Sequence, residues 1–122
     1  MKCRLIALSL LTAAMVGTVG SATDIVEIRL RGRYYSEPAT VQITIAVEPN
    51  SVNRSLRIEA ESERIFRSSQ INLLGADEKR IHTVEFKNLP AGEYMLSAQV
   101  FSSDEMRAVA TQALSVSGSG MR

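Results

Sequence analysis

A single histidine, His82, bounds the acid–base and nucleophilic chemistry open to this chain of 122 residues. A Ser-His-Asp triad could be assembled only around it, and no Gly-x-Ser-x-Gly turn supplies an exposed nucleophile before a helix. His82 falls in an alternating stretch that reads as a strand, where a lone histidine is a packed or surface side chain more often than a catalyst. Glu59, Glu61 and Glu63 stand at alternate positions, so on a strand they share one face with carboxylates about 7 Å apart. Such a pair could serve as acid and base, or bind Ca²⁺. A calcium cage, however, needs six to eight oxygens converging from a curved loop, and a straight stripe reads instead as a solvated strand face. Arg64, Arg67, Ser68 and Ser69 suggest an anion site, yet no glycine-rich loop opens a helix beside them. Met95 and Met106 read as core or rim apolar residues rather than ligands for a soft metal. The expectation is no catalytic residue, no cofactor and no metal: the chain is not an enzyme.

Binding chemistry is better represented. Arg29, Arg31, Arg33 and Tyr35 are all odd-numbered, so along one strand they point to one side while Val26, Ile28 and Leu30 point to the core. Charges on a first strand commonly guard an edge against pairing with another chain. This stripe uses arginine and ends in tyrosine, the side chains enriched at interface hot spots. The expectation is that an acidic partner docks there, either a protein or an anionic envelope polymer. A carbohydrate platform would need exposed aromatics, and Tyr34, Tyr35 and Phe101 are the candidates.

The elements that must position these residues are strands. Val26, Ile28 and Leu30 alternate with charged residues, as do Leu56, Ile58 and Ala60. Val41, Ile43, Ile45 and Val47 alternate with Gln42, Thr44 and Ala46 before Glu48-Pro49-Asn50 ends the run. Ile71 and Leu73, then His82, Val84 and Phe86, then Tyr94, Leu96, Ala98 and Val100 repeat the period, and Ala110, Leu114 and Val116 close it. Seven short strands at intervals of roughly 8–15 residues predict an all-β antiparallel sandwich over residues 23–117, followed by a flexible tail, 118–122. Residues 103–114 offer two readings. Ser102 and Glu105 fit a capping box ahead of a helical face. A turn at Ser103 to Glu105 would instead feed a last strand, which is favoured because a sandwich lacking it leaves an open edge.

Met1 to Ala22 reads as a cleavable signal peptide. Lys2 and Arg4 precede the apolar run Leu5 to Val16, and Gly20 and Ala22 supply the small side chains that signal peptidase needs for a cut before Thr23. The run is too short to span about 30 Å of hydrocarbon comfortably, so no membrane span is expected after cleavage. Cleavage removes Cys3, the chain's one cysteine, and takes the basic count from 14 to 12 against 13 acidic residues, a mature charge of −1. That near-neutral balance argues against nucleic acid as a partner. The short leader and the absence of cysteine from the mature chain read as bacterial, and in a bacterial protein the Asn53-Arg54-Ser55 glycosylation sequon would be a chance match. A cysteine-free domain of this size relies on burying roughly 60–70% of its unfolded surface.

Leu89-Pro90-Ala91-Gly92-Glu93-Tyr94, leading into an alternating strand, resembles the entry to strand F of immunoglobulin-like and fibronectin-type-III-like domains of exported bacterial proteins. The resemblance implies an immunoglobulin-like sandwich in which Gly92 permits a tight corner and Tyr94 returns its hydroxyl to upstream backbone, the tyrosine corner. Leu96 stands where antibody-type domains carry a disulfide cysteine, and Leu56 or Ile58 replaces their strand-C tryptophan. The chain is therefore similar to the disulfide-free relatives. Taken together, these features predict a non-catalytic, exported binding or protein-interaction module, periplasmic or secreted. The alternative is an accessory or inhibitor domain acting on a secreted enzyme or carbohydrate through its end loops.

Overall fold

A computed structural model describes residues 25–118. The expected leader, Met1 to Ala22, lies outside them, as does all of the expected tail but Gly118. Eight strands form: β1 (Val26–Arg29), β2 (Tyr34–Ser36), β3 (Ala39–Val47), β4 (Ser55–Glu61), β5 (Phe66–Asn72), β6 (Ile81–Leu89), β7 (Gly92–Phe101) and β8 (Met106–Ser117). The smaller sheet has the order β1-β3-β6 and the larger the order β2-β8-β7-β4-β5. The two pack face to face on one apolar core, with Val41, Ile43 and Ile45 from one side and Leu56, Ile58, Leu96 and Val100 from the other all fully buried. Each side chain of that size adds about 1.5–3 kcal/mol on burial, which is how a domain without disulfides holds together. Alternation dictates this layering: β3, β4 and β7 bury every second residue over most of their length.

The expected single first strand is divided, and with it the all-antiparallel sandwich of about seven strands. Inward-facing residues keep even numbers through Val26, Ile28 and Leu30, then switch to odd at Tyr35, which packs against the core. A period of two cannot change parity within one straight strand. The chain therefore leaves the smaller sheet after Arg29 and joins the larger as β2, paired parallel to β8. The Arg33 carbonyl accepts from Ser115 N at 2.8 Å to start that ladder.

β6 solves a similar parity problem with a bulge. Ala39 pairs with Leu89 but Val41 pairs with Phe86, so Lys87 and Asn88 together face Thr40. Asn88 takes the left-handed conformation, φ 58°, which asparagine tolerates better than most residues. The extra residue returns Leu89 to the core after Phe86, where strict alternation would have turned it outward. Arg67 of β5 braces the bulge from the other sheet, its Nη1 donating to Lys87 O at 2.8 Å and its Nη2 to Asn88 O at 3.3 Å.

Residues 106–117 form β8, and the Ser102 pattern works as a hairpin turn in which Ser102 N donates to Glu105 O at 2.8 Å. Tyr94 is 3% exposed, and its hydroxyl donates to Pro90 O at 2.7 Å, four residues upstream. Gly92 opens β7 with a positive φ of 159°, a backbone conformation that residues with side chains rarely adopt, although a Cβ there would meet Ser62 Cβ and Tyr94 Cε1 only at 3.6 Å, ordinary contact. Tyr94→Phe is expected to cost about 1–3 kcal/mol by stranding the Pro90 carbonyl. Urea unfolding of the two proteins measures it, and an unchanged midpoint would show that the bond contributes nothing.

Candidate interaction face

Odd-numbered residues of β4, β7 and most of β8, with even-numbered residues of β5, form the outer face of the larger sheet. The ladders set them in rows. Phe66, Glu61, Met95 and Ala113 lie side by side across β5, β4, β7 and β8. Ser68, Glu59, Ser97 and Thr111 form the next row, followed by Gln70, Arg57, Gln99 and Val109. Phe101 and Met106 pair beyond them, and at the other end Tyr34 pairs with Ser115. Phe66 is 55% exposed, Met95 50%, Met106 49% and Tyr34 84%. Large apolar side chains thus stand in water on the face that simple alternation reserves for polar residues.

The centre of this face is polar and already satisfied. Gln99 Nε2 donates to Glu59 Oε1 at 3.1 Å and to Ser97 Oγ at 3.0 Å. Arg57 Nη1 stands 3.9 Å from Glu59 Oε2, and its guanidinium lies 4.9 Å from the Phe101 ring centroid. Because the Arg57 and Glu59 charges compensate one another, covering them costs less than covering either charge alone. Phe66 and Met95 flank the centre on one side, Val109, Phe101 and Met106 on the other.

The arginine stripe does not exist as one surface. Arg29 ends β1 in the smaller sheet and pairs with Glu27 at 3.3 Å. Arg31 and Arg33 occupy the crossover, where the Gln112 amide oxygen, in its favoured orientation, accepts from Arg33 Nε at 3.1 Å. Tyr35 turns inward, and Tyr34 takes the exposed position. The same parity switch that divides the strand divides the stripe.

The carboxylate stripe also breaks, because β4 ends at Glu61 and Glu63 lies in the connection to β5. Arg64 and Arg67 separate as well, since Arg67 reaches for the β6 bulge. His82 is buried in β6 with Nε2 lacking any hydrogen-bond partner and Glu78 Oε2 at 4.0 Å, so it is not hydrogen-bonded as a triad histidine would be. Burial lowers its pKa, while the Glu78 carboxylate beside it and a backbone bond at Lys79 push the other way and the Lys79 charge adds to the lowering. The folded protein therefore holds His82 neutral where the unfolded chain, with a pKa of about 6.5, takes up a proton. Stability is expected to be full above that value and to fall as pH drops through it. Thermal melts from pH 8 to pH 5 check this, and His82→Leu is expected to flatten the profile.

Phe66, Val109 and the outward Met95 and Met106 were not legible as one surface, because each belongs to a different strand and only the register brings them together. No protein-family model and no characterised protein matches the chain in sequence. Among solved structures the chain is similar to a superoxide reductase (neelaredoxin) from Ignicoccus hospitalis, with a TM-score of 0.60 at 15% identity, over 75% of this chain and 80% of that one. It is also similar to the CARDB domain of a protein from Pyrococcus furiosus, in complex with di-metal ions, with a TM-score of 0.52 at 17% identity, over 76% of this chain and 91% of that one. The first likeness corrects the expectation that the chain is not an enzyme: a solved structure of this fold is one, and the missing triad is no ground for excluding catalysis. What the two likenesses establish for this chain is an all-β, sandwich-like fold.

Proposed function

We propose that this protein is an exported interaction module of immunoglobulin-like build that docks a partner protein on the outer face of its larger sheet. The observation that carries the reading is the exposure of Phe66, Met95 and Met106 around a self-neutralised polar centre. Several large apolar side chains left exposed on one sheet face mark an interaction site, since they cost solubility unless something covers them. Methionine and aromatic side chains are also those over-represented at such contacts.

The order β1-β3-β6 against β2-β8-β7-β4-β5 and the Tyr94 hydroxyl bond support the immunoglobulin-like reading. Export is supported by the leader pattern over residues 1–22 and by a mature sequence without thiols. No helix among the described residues is long and apolar enough to cross a membrane. Metal binding is not carried over from the CARDB neighbour: among the described residues no group of three or more His, Cys, Asp or Glu side chains is placed to hold an ion.

Photocrosslinking in the exporting cell tests the reading. A photoreactive residue at position 66 or 95 is expected to give one discrete protein adduct. The same residue at Thr83, exposed on β6 of the smaller sheet, is expected to give none. Equal adducts from both faces would contradict the assignment.

A further inference from the structure

A cleft of about 300 Å³ opens at one end of the sandwich, where the β3–β4 connection meets the β7–β8 hairpin, lined by Val52, Arg54, Ser102, Ser103, Glu105 and Arg107. Arg54 is fixed at the backbone from both sides, its N donating to Phe101 O at 2.8 Å and its carbonyl accepting from Leu73 N at 2.9 Å. Its Nη1 donates to Ser51 O at 2.7 Å and to Asn53 O at 2.9 Å. Arg107 occupies the β8 bulge, the residue left over between the Ala108 and Met106 pairings. Its Nη1 donates to Asn53 Oδ1 at 2.6 Å. Asn53 itself is 1% exposed and locked from the other side, Nδ2 donating to Glu48 O at 3.0 Å.

Two guanidiniums are thus bonded to two oxygens of one buried residue. Like charges brought together repel, and arrangements of this kind ordinarily recruit a carboxylate. None of the ion pairs among the described residues involves Arg54 or Arg107. Glu105 lines the same cleft yet stands outside ion-pair distance of either, so the two positive groups outnumber it across open space. Preorganised guanidiniums with neutral anchors recognise planar or tetrahedral oxyanions through their remaining N–H groups.

We propose that this cleft binds an oxyanion group, carboxylate or phosphate, between Arg54 and Arg107. The site is independent of the docking face and stands or falls without it. Ser103 closes the hairpin side with a hydroxyl donor. Glu105, at the same mouth, limits affinity for the anion alone and favours a ligand carrying a hydroxyl or ammonium next to its acidic group.

The test is an NMR titration of the full protein with sodium phosphate and, separately, sodium acetate, against sodium chloride at matched ionic strength. Saturable shifts of the Ser102, Ser103 and Arg107 signals are expected with phosphate or acetate, and the stronger of the two identifies the anion class. Arg107→Gln and Arg54→Gln are each expected to weaken binding about tenfold or more, the scale of one charge-assisted bond. Glu105→Gln, an exposed change, is expected to strengthen it with the unfolding midpoint unmoved. Chloride giving the same shifts, a response linear in salt, or equal binding by Arg107→Gln would overturn the proposal.

Discussion

Asn53→Ala is expected to destabilise the domain by about 2–4 kcal/mol, the sum of one bond to a charged donor and one to a backbone carbonyl. The side chain is fully buried and ties three segments: Glu48 at the end of β3, its own connection and Arg107 of β8. Alanine leaves the Glu48 carbonyl without its side-chain donor and the Arg107 guanidinium without the oxygen that anchors it. Urea unfolding gives the loss directly. A double-mutant cycle with Arg107→Gln is expected to return roughly 1.5–3 kcal/mol for the Asn53–Arg107 bond alone. Total loss below about 0.5 kcal/mol, the scale of ordinary surface substitutions, would mean that the connection is held by its backbone bonds.

That prediction concerns a residue whose sequence context said little. Asn53 sits in Val52-Asn53-Arg54-Ser55, which carries no periodicity, and its partner is 54 positions away in the chain. The strands of the core were legible because Val41 to Val47 and Tyr94 to Val100 bury alternate apolar residues without interruption. β8 was legible against the helical alternative because a sandwich without a last strand leaves an open edge, and it buries Ala108, Ala110, Leu114 and Val116 with Gln112 half-buried between them. β5 was only half visible. It is an edge strand whose inward positions are Arg67, Ser69 and Ile71, all half-buried, so polarity hides its alternation.

Parity changes were the features that local pattern could not supply. The step from Leu30 to Tyr35 moves the chain between sheets, and the Lys87-Asn88 bulge resets β6. Each is decided by which apolar residue the core needs next. The arginine stripe failed at the first of these, since its common face assumed one continuous strand. The apolar outer face was invisible for the converse reason, as Phe66, Met95 and Val109 acquire a common surface only once β5, β4, β7 and β8 are in register.

Phe66→Glu combined with Met95→Glu is expected to abolish capture of the partner identified by crosslinking. The two side chains flank Glu61 in one row of the ladder. Two added carboxylates beside Glu61 would place three like charges where a partner must exclude water, and unpaired charge in a desolvated contact costs several kcal/mol. On the free protein both positions are half exposed, so each substitution should change the folded state by no more than the roughly 1 kcal/mol span of strand preferences, with repulsion from Glu61 adding to that cost. Thr83→Glu, on the outer face of the smaller sheet, is the matched control and is expected to leave capture intact.

Partner capture by this double variant, measured beside its unfolding midpoint, is the most direct test of the docking face. The account predicts a loss of at least a hundredfold in affinity, about 2.7 kcal/mol, with the double variant still folded at the assay temperature and Thr83→Glu binding as the unaltered protein does. Full affinity in the double variant, with the fold intact, would contradict it.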